Sequence, residues 1–253
     1  MLHRSHKLAH RWSHTGADLL SAALSFIARR MLSDRILFID AEAIVLDKPA
    51  GLPVDAPRRG GESIASRIDE LKCGFQRPPT AMHRLDTDTS GCLLFARTAK
   101  ARATFQKAFE TRAVEKYYVA VVGSVIADEQ GVIEMPLAKT SSVEAGWRMV
   151  ADENGHEAIT HWRRLSVRDR STLVEFRPLT GRTHQIRVHA REAFGSGILG
   201  DRVYGIPGGP MLLHASRLVV PRQPKPTIDV TAPLPDYFGD WPPFDKLRTE
   251  NAA

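Results

Sequence analysis

Apolar residues fall in short blocks along this chain, not in long continuous stripes. Residues 35–40 (RILFID) and 43–47 (AIVLD) are two such blocks across an acidic turn, the pattern of a pair of strands. The second block runs into Lys48-Pro49-Ala50-Gly51-Leu52-Pro53-Val54, where two prolines and a glycine predict a rigid loop. Residues 62–72 carry Ile64, Ile68 and Leu71 at helical spacing, and residues 99–112 carry Phe105, Ala108 and Phe109, so both segments are expected to be helices. Residues 92–96 (CLLFA) and 115–123 (EKYYVAVVG) read as strands, the first apolar throughout and short enough to be buried. Residues 147–150, 158–165 and 172–176 alternate between polar turns, an antiparallel run and not a strand–helix–strand array. A helix is predicted from Thr183, as N-cap, to Gly195, as stop, and residues 216–232 supply closing strands. The pattern is α+β, with no internal repeat.

At 253 residues the chain suits one substantial domain or two small ones. No apolar run reaches the ~20 residues of a membrane span, so no membrane partner is expected. Cys73 and Cys92 are the only cysteines, which suits a reducing, cytoplasmic setting, and both are expected to be inert core thiols. A formal charge of +6 biases the protein towards polyanions without choosing among them. Residues 1–33 are basic and place His3, His6, His10 and His14 at spacings of three and four, which a helix would align. No acidic or cysteine ligand accompanies them, so the segment reads as a basic extension and not a metal site. Residues 240–253, rich in proline and charge, read as a tail.

The densest chemistry lies in His83-Arg84-Leu85-Asp86-Thr87-Asp88-Thr89-Ser90-Gly91, just before the apolar block at 92–96. Polar side chains at the mouth of a strand can be both exposed and held still. Asp86-x-Asp88-x-Ser90-Gly91 opens like a calcium loop, but the twelfth position, which needs a glutamate, holds Arg97. Asp86 and Asp88 also suggest the nucleophile loop of a magnesium-dependent phosphatase. His83 and Arg84 interrupt the apolar approach that loop requires, and Asp201 is followed by Arg202-Val203-Tyr204-Gly205 with no second acid. The third option is a single nucleophilic Asp held by a cation. In the predicted helix His184, Arg187 and Arg191 share a face, and such crowded cations repel unless an anion sits among them. On the strand at 115–123, Tyr117 and Tyr118 face opposite ways, so only one can point into a cleft.

H-R-L-D-x-x-T-S-G at 83–91 resembles a signature motif of RluA-type pseudouridine synthases. Lys48-Pro49-Ala50-Gly51-Leu52, Glu115-Lys116-Tyr117-Tyr118 and Thr180-Gly181-Arg182-Thr183-His184-Gln185-Ile186-Arg187-Val188-His189 resemble further phrases of that family, in its order. So do the stretches 198–205 and 212–215, and the likeness runs from about residue 36 to 238. The resemblance implies a curved, mainly antiparallel mixed sheet in two halves, with flanking helices and a central basic cleft. It places the catalytic domain at 34–239, with no S4-type RNA-binding domain, for which 1–33 is too short. It implies isomerisation of uridine to pseudouridine in ribosomal or transfer RNA, by a monomer that needs neither cofactor nor metal. Asp86, Tyr118 and Arg187 are then the catalytic residues: Asp86 as nucleophile, Arg187 keeping it ionised, Tyr118 stacking on the base or, in a glycal route, acting as base. His83, Arg84, Thr89, Arg182, His184, Gln185 and Leu213 become substrate-binding candidates, with Arg84, Arg182 and His184 aimed at phosphates. A silent RNA-binding factor would share the charge and fold, but not the intact set of Asp86, Tyr118 and Arg187.

Overall fold

Among the described residues, twelve strands and two α-helices follow one another as β1 (Ile36–Ile39), β2 (Ala43–Lys48), β3 (Thr80–Ala81), β4 (Ser90–Ala96), α1 (Ala99–Glu110), β5 (Glu115–Val122), β6 (Gln130–Glu134), β7 (Leu137–Ser142), β8 (Gly146–Ala151), β9 (Ile159–Arg168), β10 (Ser171–Pro178), α2 (Gln185–Phe194), β11 (Leu213–Arg222) and β12 (Lys225–Thr231). This computed structural model describes residues 31–142 and 146–241. The histidine-rich stretch at 1–30 and the tail beyond Trp241 lie outside the described residues. Ten strands form one sheet in the order β1–β2–β4–β11–β5–β10–β9–β6, with β3 added to β4 and β12 to β11. Among the described strands every pairing is antiparallel except β11 with β4. The hairpin β7–β8 stands apart from this sheet. No described helix is long and apolar enough to cross a membrane.

The sheet is covered on both faces, which is why its central strands are apolar at consecutive positions. Successive side chains point to opposite faces. On β2 and β4, Val45, Cys92 and Leu94 meet Phe105 and Ala108 of α1, while Ile44, Leu46, Leu93 and Phe95 pack onto Leu52, Val54, Ile64 and Leu71. In the other half, Ala120, Val122, Val174 and Phe176 lie against Ile186 and Ala190 of α2, and Val119, Val121 and Leu173 against Leu165 and Phe238. Phe95, Phe105 and Phe176 are each 0% exposed, and burial of one such side chain contributes about 1.5–3 kcal/mol. Tyr118 touches a core cluster in each half, so it sits at their junction.

That junction is the parallel contact of β4 with β11, where Ser90 and Gly91 pair with His214 and Ala215. Gly91 has φ +104, and a Cβ there would lie 2.2 Å from the Ala215 carbonyl oxygen, so only glycine admits this approach. A buried polar chain closes the back of the junction. His214 Nε2 faces the Ala232 carbonyl at 3.5 Å, so its proton is assigned there, and Nδ1 accepts from the Ser90 hydroxyl at 2.9 Å. Ser90 in turn accepts from the Tyr237 hydroxyl at 2.7 Å. Burial pushes the His214 pKa down to about 4, so the ring is neutral in this chain of bonds.

Several expectations need correction. The helix expected over 62–72 is shorter, a 3-10 helix at Ala65–Leu71. The Ser63 and Ser66 hydroxyls each accept the other residue's backbone N–H, and the Ser66 hydroxyl donates to the Ser63 carbonyl, which tightens the turn. Ile64 and Leu71 are nevertheless buried, as their spacing suggested. Cys92 is a core thiol, but Cys73 is exposed. Packing begins inside the expected extension, since Leu32 is 1% exposed and its N–H donates to Glu70. It continues to Trp241, which packs with Phe238 and Leu173.

Gly91→Ala is expected to cost more than about 4 kcal/mol of stability, because it combines a disfavoured φ with a backbone clash. Urea denaturation, or loss of soluble protein, reads this out. A variant within about 1 kcal/mol of the parent would show that β4 and β11 can part without penalty.

Candidate active site

The link from β3 to β4 carries the polar nonapeptide. Ala81 still pairs with Phe95 and Ser90 already belongs to β4, so only the residues between them can turn. The turn closes where the Thr89 N–H donates to the Asp86 carbonyl at 3.1 Å. Lys48 fixes it from the prolyl loop. Its Nζ, on a side chain at 0% exposure, donates to the carbonyls of Pro49, Leu52 and Thr87 at 2.9, 2.8 and 3.0 Å. The Gly51 N–H donates to the same Thr87 carbonyl at 2.9 Å. Burial pushes the Lys48 pKa down to about 7 against the opposing charges of Asp88 and Asp86. The ammonium thus ties two loops together through backbone oxygens that stand in for water.

Asp86 leaves this turn with its side chain 27% exposed, and α2 presents Arg187 to it. Arg187 Nη1 donates to Asp86 Oδ2 at 2.9 Å, while Nε and Nη2 donate to Asp201 Oδ2 and Oδ1 at 2.7 and 2.8 Å. Asp201, at 0% side-chain exposure, also accepts the backbone N–H of Val203 and Tyr204 at 2.9 and 3.1 Å. Burial alone would raise the Asp201 pKa, but the Arg187 fork and these N–H groups hold it below the usual value. Burial likewise opposes the Arg187 charge, and the two carboxylates outweigh it and raise the pKa of the guanidinium. The side chain spans one sealed carboxylate and one reachable carboxylate.

The three-cation helical face is corrected. His184 precedes α2 as its N-cap in a left-handed conformation, φ 54, with no side-chain cap bond, and Thr183 lies one residue earlier, exposed. The His184 side chain is committed elsewhere: Nδ1 meets the Tyr204 hydroxyl at 2.8 Å, and Nε2 lies 3.8 Å from Asp86 Oδ2. Tyr204 itself accepts the Met149 N–H at 2.9 Å, which ties the β7–β8 hairpin to the site. Burial lowers the His184 pKa against the charge of Asp86. Arg191 is exposed, and the anions among the remaining cations are Asp86 and Asp201.

These groups open on a cleft of about 610 Å³, and all ten residues predicted for the site border it. Tyr118 and Lys116 line it from β5, while Tyr117 faces away and packs between the Arg177 and Arg217 guanidinia, 5.6 and 5.5 Å from its ring. Burial and then the charge of Asp86 raise the Tyr118 pKa, so its phenol keeps the proton. Arg84 is exposed and pairs with Asp55 at 3.0 Å, not with Asp88. Arg182 donates from Nε to the Glu157 carbonyl at 2.9 Å. Gln185 is fully engaged within the protein. Its Oε1 accepts from the Thr180 hydroxyl and the Arg182 N–H, and its Nε2 donates to the Ile159 carbonyl and the Thr160 hydroxyl. His83 accepts the Leu94 N–H at Nε2, and burial lowers its pKa to about 3. Thr89 and Leu213 are buried at the cleft floor.

Among the described residues no three His, Cys, Asp or Glu side chains converge as metal ligands. Asp86 faces a guanidinium instead of a second carboxylate, and Asp201 is engaged by the same cation, so the geometry does not fit the phosphatase alternative. The sequence reading missed three residues that shape the site: Lys48, Asp201 and Tyr204. Lys48 and Asp201 stood in phrases already singled out, but their partners are distant in sequence.

A family described as RNA pseudouridylate synthase matches residues 42–192, more than half of the chain. An RNA pseudouridine synthase of Zymomonas mobilis is 47% identical over 214 residues, which is 83% of this chain and 98% of that protein. The ribosomal large subunit pseudouridine synthase C of Rickettsia bellii is 32% identical over 84% of this chain and 72% of its own. Among solved structures, human RNA pseudouridylate synthase domain containing 4 superposes with a TM-score of 0.69 at 26% identity, covering 88% of this chain and 95% of that one. The chain belongs to the RNA pseudouridine synthase family. It is an isomerase that converts uridine in RNA to pseudouridine.

Breaking a buried pair by removing one partner leaves an uncompensated charge. Asp201→Asn is therefore expected to lower stability by roughly 3 kcal/mol or more, measured by urea unfolding. A change below about 0.5 kcal/mol, the size of an ordinary surface substitution, would show that Arg187 does not depend on Asp201.

Proposed function

We propose that Asp86 is the nucleophile of the isomerisation, that Arg187 grips and aims it, and that Tyr118 receives the uracil ring. The observation that carries this reading is the one-sided grip on Asp86. Oδ2 is held by Arg187, while Oδ1 makes no hydrogen bond among the described residues, and Asp86 borders the cleft. A carboxylate gripped at one oxygen and free at the other is what attack at a sugar carbon requires.

The reaction breaks the bond from ribose C1′ to uracil N1, turns the base, and joins C1′ to C5. C5 then loses its proton and N1 gains one, so the composition is unchanged. Asp86 serves either by adding to C1′ as uracil leaves with the bonding pair, or by stabilising an oxocarbenium-like C1′. The uridine must leave its stack to reach Asp86, so the enzyme flips it into the cleft. The protonated phenol of Tyr118 supports stacking and hydrogen bonding to that base, and gives no support to a resting phenolate base for a glycal route.

The exposed guanidinium groups of Arg84 and Arg182 at the rim suit phosphate contacts. His184, drawn towards Tyr204 and Asp86, is better read as part of the surroundings of the nucleophile. Gln185 acts indirectly, by holding the Gly181–Arg182 turn in place. The relatives named as ribosomal large subunit synthases favour ribosomal over transfer RNA as the substrate, and a cytoplasmic monomer suits that work. The catalytic domain, expected at 34–239, then spans about 32–241, with the basic extension before it tuning substrate choice.

The test is single-turnover pseudouridine formation on total RNA from a strain lacking the gene. Asp86→Asn, which keeps size but removes the anion, is expected to abolish product while RNA binding persists. Asp88→Asn, at an exposed turn position, is expected to retain activity. An active Asp86→Asn beside a dead Asp88→Asn, both folded and bound to RNA, would overturn the assignment.

A further inference from the structure

Charged groups withdrawn from water are normally paired or hydrogen-bonded, because an isolated charge in a poorly solvated site is costly. Lys116, half-buried in the cleft, departs from that rule. It lies on β5 two residues before Tyr118, so both side chains leave the same face of the strand and enter the same cleft. Its Nζ rests against Gly181, where an added Cβ would stand 3.7 Å from it. No carboxylate or hydrogen-bond acceptor among the described residues reaches this ammonium, whereas the neighbouring Glu115 pairs with Arg177 on the other face. Burial lowers its pKa and no nearby anion opposes the shift.

A second unpartnered donor lies on the same wall. His83 accepts the Leu94 N–H at Nε2, so its proton sits on Nδ1, and that buried atom has no hydrogen-bond partner among the described residues. Burial, and then the charge of Lys116, lower the pKa of this ring against a weaker backbone contact at Arg84, and both side chains line the same cleft. Two donors without acceptors, one of them cationic, form a seat for an anion that arrives from outside. Positions i and i+2 of a strand are roughly 6.5–7 Å apart, a separation that places an anion site one nucleotide's breadth from the ring of Tyr118.

We propose that Lys116, with the Nδ1–H of His83 beside it, is the seat of a backbone phosphate flanking the flipped uridine. This deepens the reading of Asp86 and Tyr118 and rests on it. The unpaired charge is a stability deficit accepted by the free enzyme and relieved when the RNA supplies the anion. Arg84 and Arg182 sit exposed at the rim, so Lys116 is the cation that engages the phosphate only after the nucleotide has entered.

The experiment compares the full-length parent with Lys116→Met and Lys116→Arg, using total RNA from a strain lacking the gene. Met has similar reach and no charge. It is expected to leave thermal stability equal or higher, because it removes a half-buried cation with no protein partner. It should weaken RNA affinity by about 10- to 100-fold, the range for a charged hydrogen bond, and lower the slope of log affinity against log salt by about one phosphate. The loss should fall on KM more than on kcat, and Lys116→Arg should restore the salt slope. Lower stability of Lys116→Met with an unchanged salt slope would make Lys116 a structural residue and overturn the proposal. Weaker binding with an unchanged slope would mean a contact to the neutral base, which also overturns it. If the parent itself forms no pseudouridine on this RNA, the functional reading fails, a result distinct from any of these.

Discussion

The site depends on one guanidinium shared between two carboxylates. Arg187 is nearly buried, and such a charge is tolerable only with an anion in fixed geometry beside it. Asp201 supplies that anion in a two-pronged grip and is itself held by two backbone N–H groups. The third donor of the fork is then left pointing at Asp86 without freedom to turn. A planar fork transmits direction as well as charge. Asp201 is therefore as much a part of the geometry of Asp86 as the turn that carries that carboxylate.

The rest of the fold can be read as the frame that brings these three residues together. Asp86 comes from the mouth of β4, Arg187 from α2 and Asp201 from the segment leading to β11, so no local structure could align them. The two ends of the frame meet at the only parallel pairing among the described strands, where Gly91 touches the Ala215 backbone. Lys48 locks the Asp86 turn from the other side through three carbonyls. Around this rigid centre lie features that cost stability: His184 at positive φ, the buried ammonium of Lys48, and Lys116 with no anion. Their gathering at one cleft is the usual exchange of stability for function.

Much of this was legible in the sequence. The period of two placed Tyr118 and Tyr117 on opposite faces, and the unbroken apolar run at 92–96 foretold a strand covered on both sides. Crowded cations in the stretch from His184 to Arg191 signalled missing anions, although His184 proved to stand outside the helix. What could not be read was pairing across long separations. Asp201 was weighed only as an acid lacking a second acid, because its true partner, Arg187, is fixed by the fold. Lys48 bonds only to carbonyl oxygens, which no residue type announces. The helix expected at 62–72 is present only as a shorter 3-10 helix, with serine hydroxyls competing for the backbone at its start.

The central claim is that direction, and not charge alone, makes Arg187 essential. Arg187→Lys keeps the positive charge but cannot bond Asp201 twice and Asp86 at once. Single-turnover pseudouridine formation by this variant, with folding checked by its melting curve and RNA binding by titration, tests the claim most directly. The account predicts a rate at least ~10²-fold below the parent, the scale of losing one preorganised electrostatic contact, with RNA still bound. A lysine variant that turns over at the parental rate would contradict it.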